Sequence, residues 1–89
     1  MEITHDKTNQ RYVLDIDDEK ALVEYNIRDG KMYLVHSEVP RQLRNKGIGK
    51  VLVEKTFEKL TEEGHKAIAV CPFIKIVARR SEKWNTIIG

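Results

Sequence analysis

The feature that most constrains the fold is a glycine-containing basic turn that joins a candidate strand to a long amphipathic helix. Residues 32–39 have strand composition, and Pro40 cannot donate a ladder hydrogen bond, so the strand is expected to end there. From residue 48 to residue 63 the apolar residues recur with helical spacing, and Gly64 is well placed to end that helix. The apolar run at residues 66–71 lacks alternation, as in a strand covered on both faces. Strand, helix and strand in this order predict a right-handed β-α-β unit.

The first part of the chain predicts an antiparallel meander of three strands. Residues 11–16 and 21–28 have strand composition, and the acidic residues between them indicate a turn. Asp29-Gly30 then separates two alternating runs, and a two-residue hairpin turn of this kind needs positive φ at both positions. Alternation along the third strand places its side chains in two sets: Met32, Leu34, His36 and Glu38 on one face, and Tyr33, Val35, Ser37 and Val39 on the other.

The chain is predicted to form one α+β domain over residues 1–89, with a mixed sheet and a C-terminal helix that begins at Pro72. At 89 residues, with 40% hydrophobic and 34% charged residues, it has the composition of an ordered globular domain. The single cysteine, Cys71, excludes an internal disulfide framework. The first ten residues contain neither a secretory signal nor a membrane span, so we expect a cytoplasmic protein, either a monomer or a weak dimer.

Basic residues cluster in the turn before the predicted helix. Four cations and no acid lie between Val39 and Val53, whereas the net charge of +2 is too small to imply nucleic acid by itself. The first N–H groups of a helix have no intrahelical acceptor, and the helix dipole is positive at that end. The turn therefore predicts an anion site, unless the glycines only form a tight turn and the charges are solvated. Gly49 also projects onto the apolar face of the helix, where it would let the helix approach the sheet closely.

Two common nucleotide-binding loops do not fit this turn. In a Walker A loop the first glycine position would be Arg44 and the position of the metal-binding hydroxyl would be Val51. In a Rossmann fingerprint the third glycine position would be Leu52. Neither an ATP or GTP site nor a dinucleotide site is therefore expected.

The pattern that remains, Arg44-x-x-Gly47-x-Gly49 between a strand and a helix, resembles the acetyl-CoA pyrophosphate loop of the GNAT N-acetyltransferase superfamily, whose signature is Q/R-x-x-G-x-G/A. The resemblance extends over residues 23–84 and includes HSEVPRQLRNKGIGKVLVEKTFE and VCPFIKIVARR. These segments are similar to the short single-domain YjdJ-type subfamily, which has His-[ST]-x-Val-Pro before the loop and Cys-Pro-Phe after the next strand. The resemblance implies transfer of an acyl group from acetyl-CoA to an unidentified amine, a small molecule or a protein lysine, without a metal.

The resemblance also assigns residues to CoA. The backbone of residues 43–50 would wrap the pyrophosphate, and the backbone of Val39, beside a strand bulge, would hydrogen-bond the pantetheine or the acyl carbonyl. The strand ending at Cys71 would splay away from the strand ending at Val39, and the thioester would lie in the gap. On charge alone, Lys75, Arg79 or Arg80 either meets the 3′-phosphate or adenine end or forms a solvated helix face. The cofactor-binding residues expected in this way are Val39, Leu43, Arg44, Asn45, Lys46, Gly47, Ile48, Gly49, Lys50, Cys71, Pro72, Phe73, Lys75 and Arg79.

Three residues are candidates for catalysis. His36 and Glu38 form the one ionisable pair next to Val39, and either is a candidate base, although such a strand pair is also a common surface feature. Cys71 lies before a predicted helix N-terminus, where the dipole stabilises a thiolate. It would accept the acyl group covalently, lie against the pantetheine sulfur, or simply be a small buried hydrophobe.

Two departures from the superfamily leave other functions open. Many of its enzymes have a tyrosine after the splayed strand that protonates the CoA thiolate, whereas all three tyrosines here precede the loop. The chain also lacks the helices between the first two strands that help to build the acceptor site. A non-catalytic CoA-binding or acyl-sensing module is therefore the alternative. A nucleic-acid surface is the third hypothesis, weakened by interspersed acids and by the absence of exposed aromatic residues for base stacking.

Overall fold

The structure, a computed structural model, describes residues 1–89 as a five-stranded sheet with two helices packed on one of its faces. The strands lie in chain order; the first four are antiparallel and the fifth is parallel to the fourth. This is an α+β fold that contains the predicted β-α-β unit. Its elements are β1 (Glu2–Asp6), β2 (Arg11–Ile16), β3 (Glu19–Arg28), β4 (Lys31–Glu38), a 3-10 helix (Arg41–Leu43), α1 (Ile48–Glu62), β5 (Ala67–Ala69) and α2 (Pro72–Arg79).

The meander has one strand more than the sequence predicted. Strand β1 pairs along its whole length with β2, from Glu2 opposite Asp15 to Asp6 opposite Arg11. Its sequence, EITHD, contains a single aliphatic residue because β1 is an edge strand with one face in water. The alternation is therefore too weak to be read from hydrophobicity, and a histidine, His5, occupies a position on the helix side of the sheet.

The core lies between the sheet and the two helices. Helix α1 contributes the apolar face that its spacing predicted: Leu52, Val53, Thr56, Phe57 and Leu60 are all fully buried. The hydroxyl of Thr56 donates to the carbonyl of Leu52 at 2.8 Å, so its burial leaves no polar atom unpaired. The Trp84 ring packs on Phe57 with the ring centroids 5.4 Å apart. Burial of each such large apolar side chain stabilises the fold by about 1.5–3 kcal/mol.

The predicted turns are confirmed. Asp29 and Gly30 have φ values of 50° and 76°, as a two-residue hairpin turn requires. Asp17 and Asp18 between β2 and β3 also have positive φ, and Gly64 has a φ of 83° just after the last residues of α1. Neither helix is long and apolar enough to cross a membrane.

The expectation that the last strand is covered on both faces is wrong. Ala67 and Ala69 are buried against the helices, but Ile68 on the other face is only half-buried and Val70 is 46% exposed. The outer edge of β5 is covered by the chain terminus, since the Gly89 N–H donates to the Ala67 carbonyl at 2.9 Å and its carbonyl accepts from the Ala69 N–H at 3.0 Å. Residues 66–71 nevertheless lack polar alternation, because the outward-facing Ile68 packs against Gly89. No second layer of helices covers it.

Candidate active site

Strand β4 contains a bulge where it passes β3. Glu24 pairs with His36 and the next residue, Tyr25, pairs with Leu34, so Val35 is an extra residue on β4. A bulge of this kind breaks the ladder and reverses which face the following side chains occupy. The resemblance implies a bulge beside Val39, and the strand contains one four residues earlier, at Val35.

The bulge overturns the predicted faces of the second half of β4. Ser37 pairs with buried Val23 and lies on the helix side of the sheet, together with Val39. His36 and Glu38 lie on the opposite, open face, and both are exposed. Simple alternation gave the reverse because it assumed an uninterrupted pairing between β3 and β4.

Strands β4 and β5 separate beyond the bulge. Their ladder ends where Leu34 lies opposite Ala69, and the N–H groups of Val70 and Cys71 both donate to the Leu34 carbonyl, at 2.9 and 3.0 Å. The rest of β4, including Ser37, therefore has no strand partner on that side. A gap opens between the end of β4 and the start of α2.

The loop that follows β4 is folded back onto the end of the strand. Leu43 and Ile48 are buried and anchor its two ends. Between them Asn45 and Gly47 have φ values of 67° and 73°, which turn the chain into α1. The Nε of Arg44 donates to the Val39 carbonyl at 3.2 Å, and this bond ties the loop to β4.

A cleft of about 410 Å³ lies between this loop, the end of β4 and the start of α2. The N–H groups of Asn45, Lys46 and Gly47 donate to no backbone acceptor, and the first N–H groups of α1 have none within the helix. The loop therefore places unpaired N–H groups and the positive end of α1 beside a cleft whose lining includes two cationic residues and no acidic one. It is lined by Ser37, Val39, Leu43, Arg44, Asn45, Gly47, Ile48, Gly49, Lys50 and Phe73.

Gly49 permits close packing at the back of the cleft, but against a different partner from the one expected. A Cβ atom at this position would lie 3.0 Å from Cζ of Phe73 and 3.9 Å from a methyl group of Val39. The close approach is therefore between α1 and the first turn of α2, and not between α1 and the sheet. Phe73 is 42% exposed and forms an apolar wall of the cleft.

Cys71 is the residue before α2 and lies at the inner end of the gap. Its side chain is half-buried, and its Sγ lies 3.7 Å from Oγ of Ser37. Burial raises the pKa of the Cys71 thiol, but the N–H groups of Ile74 and Phe73 and the Ser37 hydroxyl together outweigh burial and hold that pKa below its usual value. The Cys71 side chain makes no capping hydrogen bond to α2. The thiolate is therefore stabilised by the dipoles of the nearby N–H groups.

Five of the sequence-predicted cofactor residues do not line this cleft: Lys46, Cys71, Pro72, Lys75 and Arg79. Lys46 is exposed in the loop without lining the cleft, and Pro72 is an exposed residue beside Phe73. Lys75 and Arg79 line a separate cleft with Ile68 and Asn85. The structure thus does not place these two cations at the cleft.

Sequence reasoning did not single out Arg80 and missed Ser37. A second cleft of about 280 Å³ shares Lys50 and Phe73 with the first and contains Arg80, which the charge argument had named only as an alternative. Ser37 had no assigned role, although it lies inside the His-Ser-x-Val-Pro segment that carries the resemblance. That motif was the available signal, but the assumed alternation pointed Ser37 to the wrong face.

Comparison with known families agrees with this arrangement. Residues 11–87 match the family described as GCN5-related N-acetyl-transferase, a match that includes β2 to α2 and every residue that lines the cleft. Among curated proteins, none matches the chain at a significant level. Because the family match extends over most of the chain, the protein belongs to the GCN5-related N-acetyltransferase family.

Proposed function

We propose that this protein binds acetyl-CoA in the cleft and transfers the acyl group to an amine. Family membership supports acyl transfer as the general kind of reaction. The observation that carries the proposal is the junction of a basic helix N-terminus with a gap between two strands. A diphosphate needs the first feature, and an extended pantetheine arm needs the second.

In this proposal each part of the donor meets a different part of the cleft. The pyrophosphate binds the free N–H groups from Asn45 into the first turn of α1, with Lys50 beside it. Pantetheine follows Val39, whose carbonyl is already engaged by Arg44, so the Val39 N–H is the group left to bind it. The adenosine and its 3′-phosphate extend into the adjoining cleft toward Arg80, which replaces Lys75 and Arg79 in this role.

The proposed chemistry needs a base, an oxyanion donor and a place for the leaving thiolate. The Val39 N–H polarises the thioester carbonyl. His36 and Glu38 lie on the open face of the sheet, so they serve as the base for an amine that approaches through the gap from that side.

Cys71 is adjacent to the proposed thioester position and has a lowered thiol pKa. If it acts covalently, its thiolate attacks the acyl carbonyl and CoA leaves as the thiolate. The amine then attacks the new thioester: a C–N bond forms, the C–S bond to Cys71 breaks and the Cys71 thiolate is regenerated, while the proton lost by the amine passes to His36 or Glu38.

A second candidate function keeps the CoA site without catalysis. The observation that favours it is the position of the tyrosines: Tyr12 and Tyr25 lie in a hydrogen-bond network with His5 and Glu63, and Tyr33 lies on the open face. None lies near Cys71, where a phenol would protonate the leaving thiolate. A CoA-binding or acyl-sensing module needs no such acid.

Thermal unfolding in the presence of acetyl-CoA, CoA, ATP or an oligonucleotide tests the ligand. Acetyl-CoA at a hundredfold excess over its Kd is expected to stabilise the fold by about 2.7 kcal/mol. The absence of a shift with both CoA species contradicts the two CoA hypotheses together. A shift with the oligonucleotide alone favours the nucleic-acid surface.

Release of free CoA thiol with a panel of amines then separates an enzyme from a binding module. The Cys71→Ala variant is expected to retain acetyl-CoA binding and to lose any acylated form of the protein detected by mass spectrometry. If its transfer rate equals that of the wild type, Cys71 has no covalent role.

A further inference from the structure

A second cluster of polar side chains lies at the other end of α1, roughly 20 Å along the helix axis from Gly49. It consists of His5 on β1, Glu63 at the end of α1, and His65 just after Gly64. One ligand atom from each of the three lies within 4.8 Å of the other two. The proposed acyl transfer uses none of these residues, and no sequence motif indicates the cluster because His5 is 58 positions from Glu63.

We propose that His5, Glu63 and His65 form a site for a divalent metal ion of the zinc class. Imidazole nitrogens and a carboxylate oxygen are ligands that Zn²⁺ prefers, and three protein ligands leave a fourth position for water. The ion would join the edge strand β1 to the end of α1. The site is independent of the acetyl-CoA cleft, so either proposal can fail without the other.

The distances suit such an ion after a small movement of one residue. Nδ1 of His5 lies 3.0 and 3.1 Å from the two carboxylate oxygens of Glu63. Ligand atoms around a tetrahedral Zn²⁺ ion are about 3.4 Å apart, so this pair is within about 0.4 Å of the required spacing. His65 lies on the turn that Gly64 forms, and because its ligand atom lies within 4.8 Å of those of the pair, its ring has to approach them by at most about 1.4 Å for the same spacing.

The groups that orient metal ligands in known sites are also in place. Nε2 of His5 lies 2.6 Å from the Tyr25 hydroxyl, and the Tyr12 hydroxyl donates to Oε1 of Glu63 at 2.8 Å. The Tyr12 ring also stacks on the His5 ring, with the centroids 4.2 Å apart. A histidine that binds metal through one nitrogen usually donates its other N–H to an oxygen, and ligating carboxylates are hydrogen-bonded in turn. When Nδ1 of His5 binds the ion, its Nε2–H donates to Tyr25.

A purely structural hydrogen-bond network accounts for four of these residues but not for His65. The side chain of His5 is only 5% exposed, and its bonds to Glu63 and Tyr25 are sufficient reason for its burial. The His65 ring makes no hydrogen bond and meets the network only edge-on, with its centroid 6.0 Å from that of His5. A role for His65 is therefore what distinguishes a metal site from a structural network.

Zinc binding by the chain without a histidine tag, after removal of metal with EDTA, tests this proposal. Calorimetric titration with Zn²⁺ is expected to show one ion per chain, and thermal unfolding is expected to shift upward with Zn²⁺. His65→Asn should weaken zinc binding by more than about tenfold, while unfolding of the metal-free protein stays unchanged because His65 makes no side-chain hydrogen bond. His65→Cys should retain binding, since a thiolate also ligates zinc.

His36→Asn is the matched control, because it removes the one histidine outside the cluster. It should bind zinc as tightly as the wild type. Absence of zinc binding by the wild type overturns the proposal, and so does equal affinity in wild type and His65→Asn. Loss of binding in His36→Asn also overturns it, because the ion would then lie on the open face of the sheet.

Discussion

The two ends of α1 differ in whether their polar groups have hydrogen-bond partners within the protein. At the N-terminal end, the loop N–H groups around Gly47 have no protein acceptor and face a basic cleft. At the C-terminal end, the Glu63 carboxylate accepts from both Tyr12 and His5, and the N–H of His65 donates to the Leu60 carbonyl. The N-terminal end is open and incomplete without an anion, whereas at the C-terminal end the Glu63 carboxylate and the His65 N–H already have partners within the protein.

This difference implies a division of roles along one helix. Substitutions at the N-terminal end should change ligand affinity with a modest effect on stability, because the groups there have no partner to lose. Substitutions at the C-terminal end should change stability and leave acetyl-CoA affinity unaltered. The four predictions below run from the largest expected effect to the smallest.

The largest effect is expected from Gly47→Glu, which places a carboxylate where the pyrophosphate should bind. Acetyl-CoA affinity should fall by about a hundredfold or more, since two anions would compete for the same N–H groups. Titration calorimetry with acetyl-CoA measures the loss directly. The positive φ of 73° at this position also adds about 1–2 kcal/mol of backbone strain.

Gly30→Glu is the control for that strain. Gly30 has a φ of 76° and, like Gly47, has open space where a Cβ would be added, but it lies in the hairpin turn before β4. It should lose similar stability and keep wild-type affinity for acetyl-CoA. Equal affinities in the two variants would mean that the loop does not hold the pyrophosphate.

Tyr12→Phe should destabilise the fold by about 1–2 kcal/mol, because Tyr12 is fully buried and its hydroxyl donates to the Glu63 carboxylate. The phenylalanine ring keeps the packing against His5. Urea denaturation measures the change in the free energy of unfolding. A variant as stable as the wild type, or one with weaker acetyl-CoA binding, would contradict the division between the two ends.

The same variant has a definite pH dependence. Burial raises the pKa of Glu63, but hydrogen bonds from Tyr12 and His5 outweigh burial and hold that pKa below its ordinary value of 4.5. A carboxyl group whose pKa is lowered by folding stabilises the protein above its unfolded-state pKa and loses this contribution as the pH falls through the folded-state value. The stability difference between wild type and Tyr12→Phe should therefore be full at pH 7 and shrink in acid below pH 4.5.

Cys71 should react with iodoacetamide at a lower pH than an ordinary cysteine, because nearby N–H dipoles and Ser37 hold its thiol pKa below the usual value. The pH dependence of the alkylation rate gives this pKa. Ser37→Ala removes one of the stabilising groups and should move the midpoint upward. A midpoint at or above that of free cysteine in the wild type would remove the thiolate from the proposed mechanism.

The smallest effect is expected from Arg80→Ala, compared with Arg79→Ala. The two cations are neighbours in sequence, but only Arg80 lines the cleft that adjoins the proposed site. Loss of one exposed ion pair costs about 0.2–1 kcal/mol, so acetyl-CoA affinity should fall up to about fivefold in Arg80→Ala and not in Arg79→Ala. With a donor that lacks the 3′-phosphate, the two variants should have equal affinity.

Local features of the sequence predicted most of the fold. The Asp29-Gly30 turn, the stop at Pro40, the apolar face of α1 and its end at Gly64 each depend on residues close in sequence. The loop was located for the same reason, since its glycines and cations are contiguous and its pattern resembles a known one.

Features that depend on distant pairing were missed. The bulge at Val35 exists only in the register between β3 and β4, and it decides that Ser37 and not His36 faces the cleft. Strand β1 was missed because one of its two core-facing residues is His5, whose hydrogen-bond partners Tyr25 and Glu63 lie far along the chain. Neither the bulge nor strand β1 can be predicted from a local sequence pattern.

The most direct test of the contrast between the two ends is a map of backbone amide shifts by NMR as CoA is added to the ¹⁵N-labelled protein. The shifts should concentrate at residues 44–50 and near Cys71, while the amides of His5, Tyr12 and Glu63 stay in place. Shifts centred on the C-terminal end of α1 or on the open face of the sheet, with residues 44–50 unmoved, would contradict the assignment of the N-terminal end as the CoA site.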